Sequence, residues 1–142
     1  MAQAATIQVD IVSAEGEIYS GPAIEITAPA SQGEIGIHPR HAPLLTLLKA
    51  GEVRVKTADG GEHFFFVGGG ALEVQPHKVT VLADTAIRAN DLDEVKALEA
   101  KKKAEEAMAN KDSAQTLATA QAELSVALAQ LEAIRKFRHR AG

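Results

Sequence analysis

The chain of 142 residues has no cysteine and no tryptophan. Missing thiols exclude disulfides, thiolate catalysis and cysteine-built zinc sites, and they suit a reducing compartment. Aromatic residues make up only 4% of the chain. They do not interleave with its basic groups, which argues against a nucleic-acid surface. The net charge of −4 favours neither nucleic acid nor an anionic membrane. Long apolar runs are also missing. The longest, "APLLTLL" (42–48), falls far short of the roughly 20 residues that span a bilayer. The opening "MAQAATIQVD" has neither the basic flank nor the apolar stretch of a signal peptide. The expectation is a cytosolic protein without direct membrane insertion.

What is present changes character along the chain. Up to about residue 84 the pattern is that of short strands. "TIQVDIV" sets Ile7, Val9 and Ile11 on one face and Gln8 and Asp10 on the other. "AIEIT" repeats this with Ile24 and Ile26, "GEVRVKT" with Val53 and Val55, and "HKVTVLAD" with Val79 and Val81. Gly, Pro, Asp and Asn punctuate the runs, and "ADGGE" (58–62) reads as a hairpin turn. Such spacing predicts an antiparallel sandwich or barrel. Phe64, Phe65 and Phe66 are expected in its core. The triple glycine at 68–70 lies between two strand-like runs. It lacks the Gly-Lys-Ser/Thr ending of a phosphate loop, so a bulge or tight crossing is expected.

Near Asn90 the period becomes helical. Leu92, Val95, Leu98 and Met108 mark one apolar face. Asp91 with Glu94 resembles a capping box. After a polar break at 109–113, Asp112 or Ser113 is placed to cap a second helix over about 114–138. Leu117, Ala120, Leu124, Ala127, Leu131 and Ile134 would form its buried stripe. The fold class is therefore α+β: an N-terminal antiparallel β-sandwich followed by a C-terminal antiparallel two-helix hairpin. The domains are expected at 1–86 and 87–142. An alanine-rich seam forms helix readily but buries little, at roughly 0.8 kcal/mol per methylene.

Charge is divided unevenly. Residues 1–84 carry 10 acidic and 5 basic groups, and residues 85–142 carry 9 and 10. The basic groups cluster in "KKK" (101–103) and "RKFRHR" (135–140). Each cluster is either a solvated helix face or a docking surface for an acidic partner. His38 and His41 in "GEIGIHPRHAPLLTLL" (33–48) invite a metal reading. Pro39 and Pro43 break any helix that would align the two rings, and no third ligand stands nearby. The stretch reads instead as a stiff polar contact loop, closed by a leucine strand that anchors it in the sandwich. No nucleophile elbow, metal set or paired-acid site is evident. The residues alone leave a generic β-sandwich adaptor, or a small metal-binding sandwich protein if the histidines converge with other ligands.

Three stretches taken together carry a specific resemblance: "GEIGIHPRHAPLLTLLKAGEVRV" (33–55), "GGGALEVQPHKVTVLADTAIRANDLD" (68–93) and "LDEVKALEAKKKAEEA" (92–107). With "VDIVSAEGEIYSG" (9–21), they closely resemble the epsilon subunit of bacterial F-type ATP synthase. The likeness covers nearly the whole chain and weakens from about residue 110. It implies a sandwich of about ten strands and a non-catalytic role in the rotor stalk. The implied partners are the gamma subunit, the c-ring, and the alpha and beta subunits of the catalytic head. Glu34, His38 and His41 would then lie at the c-ring and gamma interface. The helices would oppose ATP hydrolysis, with Lys101, Lys102, Lys103, Arg135, Lys136, Arg138 and Arg140 as candidate contacts. Some members bind ATP through a Leu/Ile-Asp-x-x-Arg pattern. Here Asp93 is followed by Lys96 at the arginine position, and Val126 and Gln130 stand where further arginines would be. Lysine offers no bidentate fork, so weak ATP binding or none, and no cofactor, is expected. The implied location is the cytoplasmic face of the bacterial inner membrane, peripheral and held through the complex.

Overall fold

The computed structural model describes residues 5–110 and 114–141. The chain divides into two units, Met1–Arg88 and Ala89–Gly142.

Among the described residues the first unit has eight strands. They are β1 (Ile7–Ser13), β2 (Gly16–Ala23), β3 (Glu25–Ala30), β4 (Gly33–Ile37), β5 (Leu44–Lys56), β6 (Glu62–Gln75), β7 (Lys78–Ala83) and β8 (Ala86–Arg88). The hydrogen-bonded order is β2-β1-β7-β6-β5-β3-β4, with β8 also paired to β6. The count falls below the expected ten because β5 and β6 run unbroken for 13 and 14 residues. The sheet is also not wholly antiparallel. β1 pairs β7 in parallel, with Val9 beside Val79 and Ile11 beside Val81. The tight β6–β7 hairpin, which pairs Gln75 with Lys78, fixes the direction of β7. β1 then joins as a neighbour with the same inward alternation.

The long strands bend along one line. β6 pairs β7 from Gly70 onward and β8 over 65–67. At the switch, Gly68 N donates to Thr85 O at 2.9 Å and Asp84 N donates to Gly69 O at 3.0 Å. A Cβ on Gly70 would stand 2.1 Å from Leu82 O. The triple glycine is thus a tight crossing, where backbone passes backbone too closely for any side chain. The β3–β5 ladder breaks at the same level, between Thr27↔Arg54 and Ala30↔Leu48.

The sheet closes over a core of alternating residues. Ile7, Val9, Ile11, Ile26, Val53, Val55, Phe65, Leu72, Val74, Val79 and Val81 are all buried in one cluster. Burial of each such side chain contributes about 1.5–3 kcal/mol. Ile24 is an exception to the expectation. It sits at the bend between β2 and β3 and is half-buried, while Ala23 is fully buried. The bend shifts the alternation by one residue. The β5–β6 turn forms at "ADGGE", with Thr57 N donating to Gly61 O at 2.9 Å and Gly61 N donating to Asp59 Oδ1 at 3.0 Å.

The leucine strand does not anchor as expected. Leu48 is buried, but Leu45 is 73% exposed and Leu47 67%. A strand sends alternate side chains to opposite faces, so consecutive leucines cannot all enter one core.

The second unit opens with a 3₁₀ turn at Ala89–Asp91, followed by α1 (Glu94–Asn110) and α2 (Ala114–Ala141). The cap of α1 is Asp93, not Asp91: Asp93 Oδ1 accepts from Val95 N at 3.0 Å and Lys96 N at 3.3 Å. The intervening 3₁₀ turn moves the helix start past Asp91. Asp112 and Ser113, the expected cap of α2, lie outside the described residues. The helices run antiparallel, since Arg138 near the end of α2 meets Glu94 at the start of α1. Their seam is alanine: Ala97, Ala104, Ala120, Ala127 and Ala133 are buried, together with Ile134. Val95 and Leu98 are exposed, contrary to the expected apolar face of α1. Small residues set the closest helix approach, and the larger ones lie away from it.

Candidate functional site

The sheet unit presents two features at its surface. The first is the loop from β4 to β5. His38 Nε2 lies 3.2 Å from Glu25 Oε2. His41 N donates to His38 O at 3.2 Å, and Arg40 N donates to Pro76 O at 2.8 Å. His41 Nδ1 stands 2.7 Å from Ala42 O, which fixes the proton on Nδ1. Arg40 takes a left-handed backbone, φ 67°, so the loop is held by its own hydrogen bonds and by the β6–β7 turn. His38 and His41 therefore share this loop. Glu34 does not: it is exposed near the β3–β4 turn, opposite Pro29. Four residues of strand, about 13 Å at roughly 3.3 Å each, separate it from His38. Among the described residues, no group of three His, Cys, Asp or Glu could hold a metal ion.

The second feature is an apolar row on the outer face. Leu47 pairs Ala71, Ala71 pairs Leu82, and Leu82 pairs Val12. Leu47 and Leu82 are exposed, and Ala71 and Val12 are half-buried. Leu45 adds to it one row on. Exposed apolar surface that is contiguous and rimmed by polar groups marks an interaction site. The rim is Glu73, Thr80 and Asp10, with Leu45 paired to Glu73. Asp10 is well anchored there. Its carboxylate accepts from Gln8 Nε2 at 3.0 Å and Ser20 Oγ at 2.8 Å, and it pairs with Lys78 Nζ at 3.1 Å. The hydrogen bonds from Gln8 and Ser20, with Lys78, hold it below the ordinary carboxylate value despite partial burial. Sequence reading missed this row, although its signal was available. With Val79, Val81 and Leu72 inward, period two sends Leu82 and Ala71 outward.

The helical unit gathers the basic residues. Lys102, Lys103, Arg135, Lys136, Arg138 and Arg140 are exposed, and Lys101 is half-buried. Arg135 grips Glu132 through two nitrogens, at 2.5 and 3.2 Å. This pair lowers the Glu132 carboxyl and raises the Arg135 guanidinium from their ordinary values, by hydrogen bonding first and charge second. Arg138 stands 2.5 Å from Glu94. A groove of about 380 Å³ between the helices is lined by Ala100, Lys103, Ala122, Glu123, Val126, Ala127 and Gln130. It brings Val126 and Gln130 together with Lys103, and its lining does not include Asp93 or Lys96. One lysine opposite one glutamate leaves the groove without net positive charge. Asp93 spends its carboxylate on the helix amides.

None of the described helices is long and apolar enough to cross a membrane. Two family profiles divide the chain. "ATP synthase, Delta/Epsilon chain, beta-sandwich domain" matches residues 6–89, and "ATP synthase, Delta/Epsilon chain, long alpha-helix domain" matches residues 90–135. The ATP synthase epsilon chain of Alkalilimnicola ehrlichii is 60% identical over 136 residues, covering 96% of this chain and 97% of that relative. That of Nitrosococcus oceani is 58% identical, covering 98% and 99%. A chain in a Euglena gracilis mitochondrial ATP synthase structure shares the fold, with a TM-score of 0.81 at 18% identity over 94% of this chain and 84% of that one. The chain belongs to the ATP synthase delta/epsilon chain family.

Proposed function

We propose that the chain is a non-catalytic central-stalk subunit of a bacterial F-type ATP synthase, coupling proton translocation to ATP synthesis and restraining ATP hydrolysis. The sheet unit binds the gamma subunit and rests on the c-ring. The helical unit regulates by reaching the alpha and beta subunits. The observation that carries this reading is the exposed row Leu47–Ala71–Leu82–Val12. A rotor part needs a firm docking face, and this is an apolar core with a polar rim. We assign the row to gamma. Glu34 and the loop with His38 and His41, at separate ends of β4, supply polar contacts to the c-ring and to gamma. The exposed cations of α1 and α2 supply contacts to an acidic segment of beta. The complex holds the chain peripherally at the cytoplasmic face of the inner membrane. The groove with Lys103 and Glu123 favours weak nucleotide binding or none.

The test is a pair of charges in the row. Leu45→Glu with Leu47→Glu leaves the core untouched, because both side chains point outward. The expected result is a folded chain that no longer co-elutes with gamma. Retained gamma binding at unchanged affinity would overturn the assignment of the row.

A further inference from the structure

The helical hairpin is closed by little. Among the described residues, its buried side chains are alanines and Ile134, with Leu117, Leu124 and Leu131 only half-buried, so the apolar term that opposes opening is modest. At its open end, an ion pair between described residues spans the two helices. Glu94 stands in the first turn of α1 and Arg138 in the last turn of α2, 2.5 Å apart. Each charge also sits at the helix end whose dipole favours it. The antiparallel arrangement thus brings two helix ends of opposite partial charge together and joins them through side chains.

Arg135 and Arg138 of α2 differ in a way that matters. Arg135 pairs with Glu132 on its own helix, so its partner travels with it. Arg138 pairs across the hairpin, so its partner is left behind when the helices part. Opening therefore frees the cation of Arg138 without altering the pairing of Arg135.

We propose that Glu94 and Arg138 form a latch that biases the hairpin closed, and that opening delivers Arg138 to an acidic protein surface which competes with Glu94 for it. The second half rests on the regulatory reading of the hairpin; the first does not. The pair is exposed on both sides, with side-chain accessibilities of 40% and 65%. Pairs of this kind shift an equilibrium by roughly two- to fivefold. A bias of that size suits a switch whose two states lie close in free energy.

The chain has no cysteine, so introduced thiols label it cleanly. Glu99→Cys on α1 and Ser125→Cys on α2 lie outside the latch, and both positions are exposed. A donor–acceptor pair there reads the open fraction of the full-length chain at low salt. Glu94→Gln and Arg138→Gln are each expected to raise the open-to-closed ratio roughly two- to fivefold. The double variant is expected to open little further than either single. High salt should shrink the difference between parent and variants. Unchanged ratios, or fully additive effects in the double variant, overturn the latch. ATP hydrolysis by a reconstituted catalytic head, with the cysteine-free chain, separates the two halves. Glu94→Gln is expected to deepen inhibition, and Arg138→Gln to relieve it although it also opens the hairpin. Shifts in the same direction overturn the delivery of Arg138. If deleting the hairpin leaves hydrolysis unchanged while the labelled ratios respond, the regulatory reading falls and the latch stands.

Discussion

Gly70→Ala tests the fold line of the sheet. A Cβ at this position would lie 2.1 Å from Leu82 O and 2.9 Å from Ala83 Cα, on a backbone with φ +130°. Both obstacles are backbone atoms, so no side chain can swing aside. Gly33 supplies the control: its φ is +133°, yet nothing lies within 4 Å of the added Cβ. Gly33→Ala therefore reports backbone strain alone, about 1–3 kcal/mol. Gly70→Ala adds a steric term of about 1–3 kcal/mol, for a total of about 4 kcal/mol. Each kcal/mol moves the midpoint of a domain of this size by roughly 4–8 °C, so Gly70→Ala is expected to melt some 15–30 °C below the parent. The assay is thermal unfolding followed through Tyr19, the single tyrosine. Its ring lies 5.3 Å from that of Phe65 in the core, so it reports on the sheet. Equal losses for Gly70→Ala and Gly33→Ala would refute the crossing as the reason for glycine.

Two further changes probe local devices. Asp93→Ala removes the acceptor for Val95 N and Lys96 N and should cost about 1 kcal/mol, seen as lost helical circular dichroism with the Tyr19 transition unmoved. Asp10→Asn tests the outer-face network. Folding lowers the Asp10 pKa from its ordinary 3.8, so its stabilisation is complete above that value and is lost as pH falls through the folded value. The variant should be less stable than the parent by about 1 kcal/mol near neutral pH, and the gap should close in acid below 3.8. A gap that persists unchanged in acid would contradict the assignment.

Much of the sheet was legible because alternation is a direct imprint of two-sided strands. Ile7, Val9 and Ile11 announce their common face, and they are fully buried. The leucine run was less legible, because consecutive leucines satisfy either register and only the pairing with β6 decides which face is core. In α1 hydrophobicity points the wrong way. Val95 and Leu98 are larger than Ala97 and Ala104, but the alanines are the residues buried. Close helix packing selects for small volume, which an apolar count does not register. The cap reads as Asp91 in the sequence but forms at Asp93, since the 3₁₀ turn before α1 leaves no mark in composition. Glu34, His38 and His41 look like one loop in sequence because four residues are a short interval on paper. As a strand the interval reaches about 13 Å, and β4 carries them to opposite ends.

The regulatory claim is tested most directly by removing the chain from Asn90 onward and assembling the remainder with the catalytic head. The sheet core lies within residues 7–83, so gamma binding and coupling are predicted to survive while ATP hydrolysis rises. Hydrolysis that stays at the full-length level with gamma still bound would contradict the account.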